Sequence, residues 1–310
     1  MNRHAYLIIA HNHFEQLGVL VRMLDDIRND IFLHIDKKVK NFDFDNLRSK
    51  VKYSNVYLVD NPVHVSWGGF SQIKSELLLL KKSTQINSYS YYHLLSGQDL
   101  PIKTQDQIHD FFDKNQGKEF VRFESDKFLY EDRLEYYHFF PDIIGRPDSI
   151  FKKIISKFNS FLVYIQKLLR VSRIRGYSNE YFQKGTNWFS ITDDLARYIL
   201  SKEKWIYKTF KYSFCCDEVF LQTLINNSLF KEKLYRKDYD NSCDAMARLI
   251  DWNRGKPYIF SIGDLEELKN SKLMFARKFD DSIDKKIILR IEEMILSGSK
   301  SSEFGVAPKI

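Results

Sequence analysis

The sequence predicts an α/β protein: a mixed sheet flanked by helices, folded as a single domain over residues 1–298 with a flexible tail over 299–310. Three observations predict it. Ala5 to Ala10, AYLIIA, is an apolar run of strand length, and Phe14, Leu17, Leu20, Val21 and Leu24 then recur at helical spacing before a second strand at Ile31 to Ile35. Strand, helix and strand in so few residues form a right-handed parallel βαβ unit. Tyr91 to Leu95 is a third buried strand, broken at Ser96-Gly97, so that Asp99 falls in the loop past its carboxyl end. Ligands of open α/β sheets bind at such ends. The 310 residues are 44% hydrophobic and 15% aromatic, with six Pro and twelve Gly, ample for a large core with few long loops.

The net charge of +7 points to phosphates, anionic lipid or nucleic acid as partners. The chain shows no zinc-finger or other nucleic-acid motif, which leaves phosphate and lipid and no nucleic acid. Three cysteines, two of them adjacent at Cys215 and Cys216, make no disulfide framework; a bridge from either to Cys243 stays open. Met1 to Ala10 passes straight into a strand without a leader pattern, and no apolar run reaches the ~20 residues of a membrane span. The expectation is a soluble or surface-bound protein of a reducing compartment.

Residues 1–125 read as a nucleotide-binding half. Ala10 and His11 end the first strand, and Asp36 ends the second, where a carboxylate can accept from a ribose or a uracil-type ring. GxGxxG and the P-loop are both missing, which disfavours a dehydrogenase or P-loop kinase. Asn55 to Leu58 is a short strand. Trp67 precedes Gly68-Gly69 and a helix from Phe70 to Lys82; its indole suits stacking on a base or sugar and equally suits plugging a tight turn. A helix over Thr104 to Asp113 and a strand from Phe120 to Phe123 follow.

Residues 126–298 read as the acceptor half. Arg133, Tyr137 and His138 lie in an aromatic and charged stretch of the kind that binds sugars, and Trp188 follows at Lys184-Gly185-Thr186-Asn187. Between Ser149 and Arg175, Phe151, Ile154, Ile155, Phe158, Phe161, Leu162, Ile165, Leu168 and Leu169 form an apolar stripe among seven Lys and Arg and no acid. Such a helix docks on an anionic membrane or packs its stripe into the core. Thr192 caps a helix. Glu218, after the apolar SFCC, opens a helix to Asn227 as a partly buried carboxylate suited to general-base work. Pro257 to Ser261 reads as a strand, Asp264 to Leu268 as a short helix, and Asp284 to Leu296 as the last helix. Arg277 and Lys278, between Phe275 and Phe279, are either solvated surface or a diphosphate clamp.

Taken together, AHNHFEQL, FLHIDKK, VSWGGFSQIKSELLLL, YYHLLSGQDLPIKT, KGTNWFSIT, CDEVFLQTLINNS, RLIDWNRGKPYIF and FARKFD resemble glycosyltransferase family 14, which includes the core-2/I-branching β-1,6-N-acetylglucosaminyltransferases and the peptide O-xylosyltransferases. The resemblance spans residues 5–280. It implies a GT-A-like, Rossmann-type fold and an inverting transfer from a UDP-sugar without a metal or other cofactor, to a glycan or lipid-linked oligosaccharide acceptor. It places Glu218 as the base, Ala10, His11 and Asp36 at the uridine, Trp67 and Asp99 in the sugar-nucleotide cleft, and Arg277 and Lys278 on the diphosphate. The resemblance to bacterial members implies work in the cytoplasm on surface-glycan precursors, peripheral at the inner face of the cell membrane. Asp43-Phe44-Asp45 and Asp238-Tyr239-Asp240 have the spacing of a metal-binding Asp-x-Asp but read as turn and surface residues. A non-catalytic glycan- or lipid-binding protein on the same fold is the alternative.

Overall fold

The computed structural model describes residues 2–178 and 181–303. Nine strands run in order: β1 His4–Ala10, β2 Asn29–Ile35, β3 Asn55–Leu58, β4 Tyr91–Ser96, β5 Asp99–Pro101, β6 Phe120–Phe123, β7 Gly185–Ile191, β8 Arg248–Ile250 and β9 Phe275–Arg277. Six of them form one sheet in the order β3-β2-β1-β4-β7-β6, and the other three form a second, β5-β9-β8. β3, β2, β1 and β4 are parallel, whereas β7 runs antiparallel to both β4 and β6. This is the mixed α/β architecture expected.

Parallel strands covered on both faces read as continuous apolar runs, as β1 does. Tyr6, Ile8 and Ala10 join one core with the Phe14–Met23 helix and the last helix. Ala5 and Leu7 join the other core with the Ser71–Ile86 helix. The chain leaves β1 towards β2 and β3, then returns to place β4 on the other side of β1. That reversal opens a crevice at the carboxyl ends of β1 and β4. Gly97 lets the two ends close up: its N–H donates to Ile9 O at 3.0 Å, and a Cβ there would stand 3.1 Å from Ala10 Cβ.

Four expectations change. Asp99 is not in a loop but opens β5, because the chain turns at Gly97 and pairs at once with β9. Pro257 to Ser261 forms no strand; the late strands are β8 and β9, on either side of it. The helix expected from Cys216 is a 3-10 turn, Cys216–Glu218, followed by a helix over Phe220–Asn226. The last helix runs from Lys285 to Glu303, through the start of the expected tail; residues 304–310 lie outside the described residues.

Candidate active site

Asp36 is buried at the end of β2. Its carboxylate accepts from Lys38 N at 2.8 Å and Val65 N at 3.1 Å, and Lys38 Nζ stands 3.7 Å away. Its backbone N–H donates to Ala10 O at 2.9 Å, which joins the ends of β1 and β2. Asp36 thus also pins the loop that leads to Trp67. His11 sits among Asp36, Lys38, His13 and Lys278. Its pKa is lowered by desolvation in the cleft wall and by those cations, against the opposing pull of Asp36.

The cationic end of the crevice is built from the second sheet. Asp99 and Arg277 are register partners across β5 and β9. Arg277 Nη1 lies 2.7 Å from Asp99 Oδ1 and also donates to Ser96 Oγ. Ser96 N and Oγ donate to the same carboxylate at 3.1 and 2.9 Å, and Arg248 Nη1 lies 3.6 Å from Asp99 Oδ2. Asp99 has no exposed surface, so it is a residue that orients Arg277 from beneath. Arg248, equally buried, donates to Leu94 O at 2.6 Å. Burial, opposed by Asp99 and reinforced by Arg277, draws its pKa down to about 10. The guanidinium carbons of Arg277 and Arg248 lie 4.6 and 5.2 Å from the ring centre of Trp188. Trp188, expected at the acceptor, therefore serves as the platform for the two arginines.

Trp188 reaches that position through a bulge. Between the Val121–Phe189 and Phe123–Gly185 pairs, β7 has four residue steps against two in β6. Bulges re-aim side chains in this way. Beside Arg277, Lys278 is half-buried; its pKa is lowered by burial, then by the like charges of Arg277 and Arg146, while Asp280 opposes. Like charges collected at a sheet end are unfavourable until an anion joins them. Arg146 had no distinguishing sequence signal, because it lies in the short turn after the Pro141–Ile144 helix.

At the other end stands Glu218. Its side chain is 37% exposed, and its Oε2 lies 2.9 Å from Arg133 Nη1 and 3.6 Å from Lys184 Nζ. Lys184 also pairs with Glu124, which accepts from Tyr130 OH. Arg133 and Lys184 both lie 4.6 Å from the Tyr130 ring centre. Glu218 is partly buried, as expected; its neighbour Asp217 is buried more deeply, and its pKa is pushed up to about 7 by burial and by the charge of Glu218. Asp217 Oδ2 accepts from Gln72 Nε2 at 2.7 Å, and Gln72 Oε1 accepts from Gly68 N at 2.8 Å. Gly68 has φ +72°, a conformation that a side chain at this position would disfavour, and its carbonyl accepts from Cys215 N at 2.9 Å. Trp67, 48% exposed, packs edge-on against Phe214.

Of the residues expected at the acceptor, Arg133 alone pairs with Glu218. Tyr137 exchanges backbone bonds with the side chain of Gln166, and Arg173 lies 4.8 Å from its ring centre. His138 Nε2 bonds Asp132 O at 3.1 Å and its Nδ1 lies 3.4 Å from Asn159 Nδ2. Both serve to seat the basic helix. The Asp-x-Asp stretches have local partners. Asp43 caps the helix Phe44–Arg48, and Asp240 pairs with Arg236. His13, Asp280 and Asp281 are a cluster that the sequence reading missed, their ligand atoms all within 4.8 Å of one another.

The chain has relatives among known proteins. The chain is 22% identical over 292 residues to xylosyltransferase sqv-6 of Caenorhabditis briggsae, covering 87% of this chain and 34% of that protein. It is 22% identical over 324 residues to xylosyltransferase oxt of Drosophila melanogaster, covering 97% and 34%, and 21% identical over 315 residues to human xylosyltransferase 2, covering 96% and 34%. The chain thus spans about a third of the length of these relatives. A crystal structure of mouse xyloside xylosyltransferase 1 aligns with 89% of this chain and 97% of its own at 10% identity, with a TM-score of 0.37, too slight a likeness to carry an argument. The profile of the family described as Core-2/I-Branching enzyme matches residues 4–271, nearly the whole chain, and the protein belongs to that family.

Proposed function

We propose that the protein is an inverting, metal-independent glycosyltransferase that moves GlcNAc or xylose from a UDP-sugar to a hydroxyl of a glycan acceptor, in the synthesis of a bacterial surface polysaccharide. The observation that carries the reading is that β7 and its leading residue serve both ends of the crevice. Lys184 meets Glu218 and Trp188 carries Arg277, and their Cα atoms are no more than about 14 Å apart along the chain. The same strand thus ties a carboxylate to a set of fixed cations, the two kinds of group that the transfer needs.

Each group has a task in a single displacement. Glu218 takes the acceptor hydroxyl proton as the acceptor oxygen bonds to the sugar's anomeric carbon. Both cations that touch Glu218 make their shortest contact at Oε2. The bond from the anomeric carbon to the β-phosphate oxygen breaks, and its electron pair leaves with UDP. Arg277, braced by Asp99, and Lys278 meet the charge that grows there, the task a metal ion performs in other transferases. Ala10, His11 and Asp36 border the uridine, and Trp67 lies over the sugar.

The test is UDP release with a panel of UDP-sugars and glycan acceptors, in EDTA. Turnover with UDP-GlcNAc or UDP-xylose that survives chelation supports the reading. Turnover lost in EDTA and restored by Mn²⁺ overturns metal independence and points to His13, Asp280 and Asp281. No turnover with any donor, together with tight glycan binding, favours a non-catalytic binding protein.

A further inference from the structure

The helix Ile150–Leu168 turns two amides inward, with Ile155 and Leu162 half-buried beside them. Its two buried residues are Asn159 and Gln166. Asn159 Oδ1 accepts from Phe139 N at 3.2 Å, and Gln166 accepts from Tyr137 N at 2.8 Å and donates to Tyr137 O at 3.0 Å. Two side-chain amides thus hold the helix to the backbone of one loop. The exposed part of the apolar stripe lies on the other side. Phe151 is 67% exposed, Ile154 60% and Leu168 65%, with Phe158, Phe161 and Tyr164 also open. At about 100° per residue these six residues cover an arc of about 140°. Phe158 meets Phe140 with ring centres 6.0 Å apart, and exposed Phe139 and Ile143 continue the apolar surface onto the body.

A continuous apolar surface of this kind marks an interaction site. Its charge selects the occupant. Ser149 to Arg175 contains seven cations and no acid. Arg173 is spent on the body: it donates to Leu134 O, Tyr136 O and Thr209 O. Lys152 pairs with Asp148 and Lys167 with Asp132 at the flanks. Lys153 is exposed beside the stripe, and Lys157 is exposed within its Tyr164 edge. A second copy laid face to face would add the same lysines from its own helix, which offers no acid to meet them, because a two-fold interface repeats one patch on both partners. An anionic bilayer instead accepts the apolar arc among its acyl chains and the lysines at its phosphates.

We propose that the Ile150–Leu168 helix docks the protein on the surface of an anionic lipid bilayer, lying in the interface with Phe151, Ile154, Phe158, Phe161 and Leu168 inserted. This goes beyond the catalytic reading and does not depend on it. Among the described residues no helix is long and apolar enough to cross a membrane. The docking is therefore peripheral and reversible, with its electrostatic part screened by salt.

The test is co-sedimentation of the full chain with vesicles of phosphatidylcholine alone or with phosphatidylglycerol added. Binding should require phosphatidylglycerol, fall at least tenfold in high salt, and fall by a similar factor in Phe158→Glu/Phe161→Glu and in Lys153→Glu/Lys157→Glu. Both pairs are exposed, so circular dichroism should show both variants folded. No binding to phosphatidylglycerol vesicles overturns the proposal, as does binding that the folded variants leave unchanged. A dimer in sedimentation velocity that Phe158→Glu/Phe161→Glu dissolves, without vesicle binding, assigns the face to a second copy and also overturns it.

Discussion

Asp99 and Arg277 stand directly opposite each other across the β5–β9 ladder, joined at 2.7 Å, and the carboxylate has no exposed surface. Asp99 also faces the buried Arg248. Asp99→Asn keeps the shape and removes the charge that both guanidiniums share. Breaking a buried pair costs roughly 3–5 kcal/mol, so the melting midpoint should fall by about 5–8 °C. Differential scanning calorimetry checks this. An unchanged midpoint would show that the pair adds nothing to the fold.

Glu218 and Asp217 are adjacent carboxylates in different settings. Glu218→Gln should lower turnover by ~10²–10⁴-fold, the range for loss of a general base, with UDP affinity nearly unchanged. Asp217→Asn keeps the bond geometry to Gln72 through its carbonyl oxygen and should lower turnover by less than about tenfold, since hydrogen bonds of this kind contribute ~1 kcal/mol. If the two effects are reversed, the buried member of the pair is the base.

The three cations at the crevice end should differ in how they act. UDP gains charge as it leaves, so Arg277→Ala and Lys278→Ala should lower the maximal rate more than they weaken donor binding. Charge-assisted bonds contribute about 1.5–3 kcal/mol, a loss of roughly ten- to a hundredfold per residue. Arg146→Ala should raise the Lys278 pKa and weaken UDP binding by a smaller factor. Steady-state kinetics with calorimetric UDP titration separates the cases. Unchanged values in both the Arg277 and Lys278 variants would make that pair solvated surface.

His109 gives a pH dependence of stability with a definite sign. It is buried, bonds Asn29 Oδ1 at 2.9 Å and stacks on His4 at 4.0 Å. Burial, then Arg28, lowers its pKa to about 4. The unfolded chain therefore binds a proton that the folded chain does not, from about pH 6.5 down to 4. The stability it contributes is present above that window and lost as pH falls through it. Glu119 and Asp217, both raised to about 7, act with the opposite sign, so the useful quantity is a difference. Relative to His109→Gln, the wild type should lose about 2 kcal/mol between pH 7 and pH 5. Urea denaturation of both proteins at the two pH values measures it, and parallel curves would refute the assignment.

The parallel strands were legible because each is an apolar run ended by a polar residue, and Asp36 sits at such an end. The second sheet was not. β8 and β9 have three residues each, too few to show alternation, and Asp99 meets Arg277 across 178 positions of chain. Trp188 could not be placed, because a bulge and not the strand period aims it. Glu218 was expected to be partly buried, as it is; the 3-10 turn after Cys215, whose φ is +48°, buries its neighbour Asp217 more deeply, which the pattern did not show. For the basic helix, the pattern shows that there are two faces. Which one turns inward depends on Asn159 and Gln166 finding backbone partners 20 and 29 residues away.

Gln72 spans the gap between the loop of Trp67 and the turn of Glu218, with one end of its amide on Gly68 N and the other on Asp217. A second tie, from Cys215 N to Gly68 O, lies beside it. The indole at the mouth of the cleft and the carboxylate within it are thus one mechanical part. Any swing of the Trp67 loop carries the Glu218 turn with it, so under the proposed mechanism admission of a substrate and alignment of the base are a single motion.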